Sequence, residues 1–181
     1  HKAANAGITE VVLNESFEGN RGKLPEGWSI ESKGSADLLD IEKWSIGKAW
    51  SAYVPTPADG EYYAYMYYSS KHQDEWLISP QMDLGNADYE LNFMAYLNCG
   101  FFYIVDKDHV STNGEWIKQE ICSTFQVLVQ EEGGEWQTLK DYAEEGMGKP
   151  YSYFTANEPT ALEPYSIDLA KYAGKKIRLA F

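Results

Sequence analysis

The sequence lacks any apolar run approaching the roughly 20 residues that a membrane-spanning helix needs. The first residues, His1 to Gly7, are polar and contain no hydrophobic region of a signal peptide. We therefore expect a soluble chain without membrane insertion, from which any signal peptide has already been removed.

Positive charge is scarce. The chain has 15 Lys and Arg against 28 Asp and Glu, a formal net charge of -13. Such a chain repels phosphate backbones and anionic lipid surfaces. We therefore expect no nucleic-acid partner, and cations are the small partners that this charge favours.

Catalytic motifs are also missing. Of three histidines, His1 is terminal, and His72 and His109 lie in predicted loops outside any pairing of base and nucleophile. No G-x-S-x-G, H-E-x-x-H or glycine-rich phosphate loop occurs, which leaves hydrolase, metalloprotease and kinase functions without support. A glycoside hydrolase stays open as an alternative because it needs only two facing carboxylates, but the E-x-D-x-x-E strand motif of one such group is absent.

Cysteine is limited to two residues, and no C-x-x-C spacing indicates zinc or redox chemistry. If residues 101–106 and 116–122 form a hairpin with its register centred between Val110 and Ser111, Cys99 lies opposite Cys122. Opposed cross-strand residues lie close enough for a disulfide. A bridge and two buried free thiols both remain open.

Aromatic residues, by contrast, make up 15% of the chain, and apolar residues alternate with polar ones at a period of two. The alternation predicts strands in five segments: Val11–Phe17, Tyr63–Tyr67, Tyr89–Leu97, Phe125–Val129 and Ile177–Phe181. Gly133-Gly134 predicts a hairpin. Helix is expected only as a turn or two within Asp37–Trp44 and one capped turn from Asp168 to Gly174. This pattern predicts an all-β fold, an antiparallel β-sandwich jelly roll with very little helix.

One further strand is predicted just before Pro80. Trp76 and Ile78 alternate with Leu77 and Ser79, as in a strand buried on one face. Pro80 has no N–H to continue a central ladder, so the strand should end there.

Four segments resemble a known family, in the family's order. Asp74–Leu84 resembles its D-x-W-L-I-S-P-x-x-D-L element, and Leu13–Trp28 its F-E/D and L-P-x-G-W elements. Phe125–Leu139 resembles its V-x-V-S-x-D-G-G-x-x-W-x-x-L hairpin, and Tyr165–Phe181 its D-L-S-x-Y-A-G-K-x-V-R-I-A-F element. These are elements of the cleaved adhesin, or choice-of-anchor J, domains.

The resemblance implies a galactose-binding-like jelly roll similar to MAM domains and to the adhesin regions of gingipains. Such domains occur in secreted and cell-surface proteins and often hold calcium. By this resemblance residues 10–181 form one adhesin-type domain, and residues 1–9 form a flexible N-terminal segment.

The chain departs from the family at Phe181, where relatives continue to a strand with W-Y-I-D-D-V. We therefore expect the strand from Lys175 to Phe181 to leave one sheet edge unpaired. We expect this edge to be protected by Lys175, Lys176 and Arg178 or by the N-terminal segment before Val11, giving a monomer. The alternative is a dimer or a donated strand that covers the edge.

The resemblance also implies calcium ligands. Glu18 is the first candidate and Asp74 the second, because a hard cation takes several oxygen ligands from loops at one end of the sheets. Asp37 and Asp40 lie where relatives carry a D-A-D-G-D-G run. The alternative is that all four are solvated surface acids.

Tyrosines crowd the segment Tyr62–Tyr68 and fall on both faces of a strand. Exposed aromatic rings stack on the apolar faces of sugars, which makes Tyr62, Tyr65 and Tyr68 candidate ligand-binding residues. Alternatively, the inward tyrosines pack in the core and the outward ones form cross-strand pairs.

Together these features predict a non-catalytic, adhesin-type binding module, secreted or at the cell surface. Its expected partner is carbohydrate or an extracellular host or matrix protein. A structural accessory domain without its own ligand is the alternative, and a jelly-roll glycoside hydrolase is less well supported.

Overall fold

A computed structural model describes residues 10–49, 54–67, 69–97, 101–110, 116–122, 124–142 and 162–181, of which 101–110 and 116–122 as backbone. Its strands are β1 (Ser29–Ser32), β2 (Ser45–Lys48), β3 (Tyr62–Tyr65), β4 (Glu75–Ile78), β5 (Met82–Asp83), β6 (Glu90–Ala95), β7 (Phe101–Val110), β8 (Trp116–Cys122), β9 (Gln126–Glu131), β10 (Trp136–Asp141), β11 (Glu163–Asp168) and β12 (Lys176–Ala180). Helix occurs in the described residues only as 3-10 turns at Asp40–Glu42 and Ala170–Tyr172. None of the described helices has the length and apolar character needed to cross a membrane.

The largest sheet contains six strands, all paired antiparallel. Its order is β1, β4, β12, β9 and β10, and β5 pairs with β12. Strands β6 and β11 form a second, two-stranded sheet, as do β2 with β3 and β7 with β8. The predicted all-β antiparallel sandwich with very little helix is confirmed.

The core lies between the large sheet and the β6–β11 sheet. Ile177 and Leu179 of β12 and Val129 of β9 are at most 2% exposed, and Leu91 of β6 and Ile167 of β11 pack against them. Phe93 of β6 contacts Phe181 edge to face, with ring centroids 5.8 Å apart. The alternation predicted for Tyr89–Leu97 places these side chains, since β6 alternates exposed and half-buried residues.

The predicted N-terminal strand is wrong. No strand forms between residues 10 and 28, where the described backbone is irregular. Phe17 adopts a φ of 64°, which interrupts an extended strand, and its N–H donates to the Glu15 side chain. The Phe17 ring instead packs edge to face on Trp28, with centroids 5.3 Å apart.

Strand β4 ends before Pro80, as predicted, but it is buried on both faces rather than one. Leu77 and Ile78 point to opposite faces, and they are 3% and 1% exposed. Within the sheet, β4 pairs with β1 along one side and with β12 along the other.

The expectation that the last predicted strand leaves an open edge is also wrong. β12 lies in the middle of the large sheet, with β4 and β5 on one side and β9 on the other. Lys175 and Arg178 therefore do not guard an edge. Lys175 Nζ pairs with Glu131 Oε1 at 2.7 Å, and Arg178 packs on Trp136.

The predicted turns are confirmed. The β9–β10 hairpin turns at Gly133, which has a φ of 74°, and Trp136 lies opposite Gln130. The N-cap position of the second 3-10 turn is Leu169 rather than the expected Asp168, but Asp168 Oδ1 accepts the Ala170 N–H at 2.8 Å, and Gly174 follows the turn.

The predicted hairpin of residues 101–122 exists, but its register differs. Cys122 pairs with Phe101, so the expected register, with Cys99 opposite Cys122, is wrong. The register shifts between Val105 and Val110, so β7 holds more residues than β8 over that stretch. Cys99 lies outside the described residues.

Candidate functional site

The Glu18 carboxylate connects the irregular segment before β1 to the start of β3. Its Oε1 accepts the backbone N–H of Glu61 at 2.7 Å and that of Tyr62. Gly60 lies so close that any side chain there would overlap the Glu18 carboxyl group. The predicted metal ligand thus clamps the turn before β3, and Gly60 makes this approach sterically feasible.

Cationic charge lies next to this clamp. Lys48 Nζ, on β2, pairs with Glu61 Oε2 at 2.6 Å and lies 5.0 Å from the Tyr62 ring centroid. The hydrogen bond to the Glu61 carboxylate raises the pKa of the Lys48 ammonium, and the Tyr62 and Glu18 charges add to the effect.

Asp74, the second predicted ligand, has different partners. Its Oδ1 accepts the indole N–H of Trp76 at 2.7 Å, and its backbone carbonyl accepts the Lys33 N–H at 2.8 Å. The carboxylates of Glu18 and Asp74 therefore contact different segments of the chain. Among the described residues, no three His, Cys, Asp or Glu side chains come together as a metal-binding group.

The two further acids of the resemblance lie beside the first 3-10 turn. Asp37 pairs with Lys71 Nζ at 3.1 Å, with the Asp37 side chain 75% exposed. Asp40 is exposed, and its carbonyl accepts the Ser45 hydroxyl at 3.1 Å.

One buried carboxylate was not singled out from the sequence. Glu75, next to Asp74, is 9% exposed. Its Oε1 accepts the Ser32 hydroxyl at 2.8 Å, but its buried Oε2 has no hydrogen-bond partner among the described residues. The sequence D-E-W-L-I-S-P does not indicate that the side chain of Glu75 is buried.

The predicted tyrosines do not form one surface. Tyr62 and Tyr65 are separated by an odd number of positions on β3 and so lie on opposite faces, whereas Tyr68 lies outside the described residues. Tyr63, Tyr65 and Tyr67 form a ladder on one face, with successive ring centroids 6.0 and 5.6 Å apart. Partial burial raises the pKa of Tyr63.

Two tryptophans meet on the outer face of the large sheet, which points away from the core. The rings of Trp76 on β4 and Trp136 on β10 are in edge-to-face contact, with centroids 5.7 Å apart. Strands β12 and β9 lie between them, so the side chains lean towards each other. Ile78 and Ala180 occupy the same face and are 1% and 0% exposed, so this part of the face is not open to solvent.

Polar groups surround this pair. Lys33 Nζ lies 3.6 Å from the Trp76 ring centroid, and Arg178 Cζ lies 5.5 Å from that of Trp136. The Arg178 guanidinium also donates to Gln130 Oε1, at 3.1 Å from Nε. We call the following six residues the tryptophan face: Lys33, Asp74, Trp76, Gln130, Trp136 and Arg178.

Comparison with known proteins identifies the fold. No protein-family model matches the sequence, and no curated protein matches it. A solved structure, the K2 cleaved adhesin domain of Lys-gingipain, matches over 93% of this chain and 87% of that chain, with a TM-score of 0.50 and 16% sequence identity. The two chains share an adhesin-type fold. At this identity the likeness concerns the fold alone, and to that extent it supports the resemblance seen in the motifs.

The sequence placed Trp76 and Trp136 in a predicted strand and a predicted hairpin, but it did not predict the contact between their rings. Trp136 follows the Gly-Gly turn, and hairpin pairing places it opposite Gln130. What the sequence does not contain is the strand order, which brings β4 and β12 next to this hairpin. Arg178 was assigned to edge protection for the same reason.

Proposed function

We propose that this chain is a non-catalytic, adhesin-type binding module of a secreted or cell-surface protein, and that it recognises carbohydrate or an extracellular host or matrix protein. The tryptophan face is the observation that carries this proposal. Half-buried indoles beside a guanidinium and an amide, all mounted on one rigid sheet, are typical of recognition surfaces. The adhesin-type fold supports the same assignment by analogy only.

The proposal assigns no catalytic role to the acids of this surface. A glycoside hydrolase needs two carboxyl groups facing each other across the scissile bond. The two carboxylates near the tryptophans have other partners: Asp74 accepts from the Trp76 indole, and Glu31 lies 3.4 Å from Lys33 Nζ.

A binding screen tests this function. The purified chain should be applied to a glycan array and to a panel of immobilised extracellular matrix proteins, with the heat-unfolded chain as control. We expect saturable binding to at least one class. Failure to bind on both panels would favour a structural accessory domain, and release of reducing sugar from a bound glycan would favour a glycosidase.

We further propose a bound calcium ion in which Glu18 and Asp74 take part. Calcium takes about six to eight oxygen ligands, and the described side chains alone do not supply such a set, so the proposal rests on the motif resemblance. A ligand that binds only the folded state raises the melting temperature. Melts in calcium and in chelator, for the wild type and Glu18→Ala, test it: identical wild-type curves would refute the site.

A further inference from the structure

The tryptophan face combines flat apolar rings with groups that donate and groups that accept hydrogen bonds. We propose that this face binds an uncharged oligosaccharide, with sugar rings stacked on Trp76 and Trp136. This assignment rests on the proposed binding function and gives it a site and a ligand class.

The two indoles offer surfaces on which sugar rings can stack. Pyranose rings present C–H groups on their faces and pack on indoles, which provide a large apolar surface and a polar edge. Here both indoles are already held in place, since they contact each other at 5.7 Å and Trp76 Nε1 donates to Asp74. Binding therefore does not have to order these side chains, which lowers its entropic cost.

Polar groups beside the indoles can recognise sugar hydroxyls. Sugar hydroxyls both donate and accept, so their site needs donors and acceptors side by side. The Arg178 guanidinium is the donor, and the carboxylates of Asp74 and Glu31 are acceptors. Gln130 Oε1 accepts from Arg178, and Gln130 Nε2 donates to the Gly134 carbonyl at 3.0 Å. The Gln130 amide therefore holds the Arg178 guanidinium in its orientation.

Charge decides which oligosaccharide fits. The two cations that pack on the indoles, Lys33 and Arg178, are offset by the carboxylates of Glu31 and Asp74, which contact Lys33 and Trp76, whereas the chain as a whole carries a net charge of -13. Sulfated, sialylated or uronic-acid glycans would meet no surplus of positive charge here, and the rest of the chain would repel them. An uncharged glycan has neither disadvantage.

The distribution of aliphatic side chains disfavours a protein partner on this face. Tryptophan and arginine are also enriched at protein interfaces, but the buried centre of such an interface is a larger apolar patch than two indoles provide. None of the large aliphatic residues exposed in the described chain belongs to the tryptophan face: Val11, Leu13, Ile30, Leu39, Ile41, Met66 and Met94. Ile30 is on β1 but points to the opposite side from Glu31.

A cation lies over each stacking surface, and Arg178 Cζ is 5.5 Å from the Trp136 ring centroid. Lys33 lies closer to its indole: Lys33 Nζ is 3.6 Å from the Trp76 ring centroid, and the Lys33 side chain is 42% exposed. A sugar that stacks there must displace this ammonium, and an exposed cation–π contact is weak. We therefore expect Lys33→Ala to raise the affinity for a neutral glycan by about two- to five-fold.

The test begins with the wild-type chain on an array of neutral glucans, mannans and galactans together with sulfated and sialylated glycans. The strongest neutral hit is then titrated against Trp136→Ala, Trp76→Ala and Lys33→Ala. We expect each tryptophan variant to lose at least about tenfold in affinity. Tyr62→Ala and Tyr65→Ala are the matched controls on the small sheet, and they should bind as the wild type does.

A second measurement avoids variants that fail to fold. In the 15N-labelled wild type, the neutral glycan should shift the indole N–H resonances of Trp76 and Trp136. Those of Trp28 and Trp44 should stay in place, since Trp44 Nε1 donates to the Glu75 and Phe181 carbonyls.

Several outcomes would overturn the assignment. Binding confined to acidic glycans, binding lost in the tyrosine variants, or unshifted Trp76 and Trp136 resonances would each do so while leaving the binding function intact. Binding to matrix protein with no glycan bound would do the same. Absence of binding on both panels would instead remove the proposed function itself.

Discussion

At the residue scale, Glu18 holds two distant segments together with one carboxylate. Its replacement by Ala leaves the Glu61 and Tyr62 N–H groups without this acceptor. We expect Glu18→Ala to lower the free energy of unfolding by about 1–3 kcal/mol, measured by urea denaturation in chelator. Glu26→Ala is the control, because Glu26 is exposed and should change stability by less than about 0.5 kcal/mol. Equal effects of the two substitutions would contradict the clamp.

Glu42 makes stability depend on pH. Its Oε2 accepts the Leu39 N–H at 2.7 Å, and this hydrogen bond, helped by Ser69, lowers the pKa of the carboxyl from its ordinary 4.5. A carboxyl with a lowered pKa in the folded state stabilises the protein above the unfolded-state pKa. That contribution is lost as pH falls through the folded-state value.

We therefore expect Glu42→Gln to be less stable than the wild type at pH 7, and the difference to vanish below the lowered pKa. Chemical denaturation at pH 7, 5, 4 and 3 measures it. A difference that stays constant across this series would show that the charge of Glu42 has no part in it.

Individual residues were predicted from the sequence only where a local pattern fixes their surroundings. Asp168 and Gly174 frame a short turn as expected, because Asp168 accepts a backbone N–H two positions away and Gly174 has a φ of 74°. The hydrogen-bond partners of Glu18 lie more than 40 positions away. The motif therefore singled out Glu18 but could not predict which backbone groups its carboxylate binds. That Tyr62 and Tyr65 lie on opposite faces follows from their odd spacing along one strand.

At the scale of elements, the β9–β10 hairpin depends on the backbone of Gly133. Its φ is 74°, and a Cβ there would meet no atom within 4 Å, so Gly133→Ala tests conformation without a clash. We expect a loss of about 1–2 kcal/mol in the free energy of unfolding. Gly19 is the matched control, since its surroundings are equally open but its φ is not positive. Gly19→Ala should be neutral or slightly stabilising, and a similar loss in both variants would contradict this explanation.

Strand β12 should contribute more to stability than an edge strand would. Leu179 is 2% exposed in the middle of the large sheet, and Leu179→Ala removes buried methyl groups and leaves a cavity. We expect a loss of about 2–5 kcal/mol in urea denaturation. Leu39, 60% exposed, provides the same substitution outside the core, with an expected change below about 0.5 kcal/mol. A loss at Leu179 no larger than at Leu39 would argue against a central β12.

Element identity was predictable, but element position was not. Period-two alternation located β6, β9 and β12, because each of these strands places one face in the core. Alternation carries no information on which strands become neighbours. β12 pairs antiparallel with β4, about 100 positions away, and with β9, about 50 positions away, and this long-range pairing overturned the expected edge. The prediction of a strand over Val11–Phe17 was wrong for a local reason, the positive φ of Phe17.

At the scale of the whole molecule, the edges of the large sheet decide how the chain meets copies of itself. In the described part of the chain, β1 and β10 end this sheet, and the two-residue β5, which pairs only with β12, is a further short edge. β1 has only four residues and carries Glu31, and the pairing of β10 is irregular between Thr138 and Lys140. Short, charged or bulged strands are poor templates for edge-to-edge pairing.

We therefore expect a monomer, and the net charge of -13 adds a general repulsion between copies. Because salt screens that repulsion, light scattering at low and high ionic strength separates the two causes. If the edges themselves prevent pairing, the chain stays monomeric at both salt concentrations and across a hundredfold range of protein concentration.

A dimer that appears only at high salt would show that charge alone keeps the copies apart. A dimer under all conditions would contradict both arguments, and Glu31→Val would then be expected to tighten it if β1 is the pairing strand.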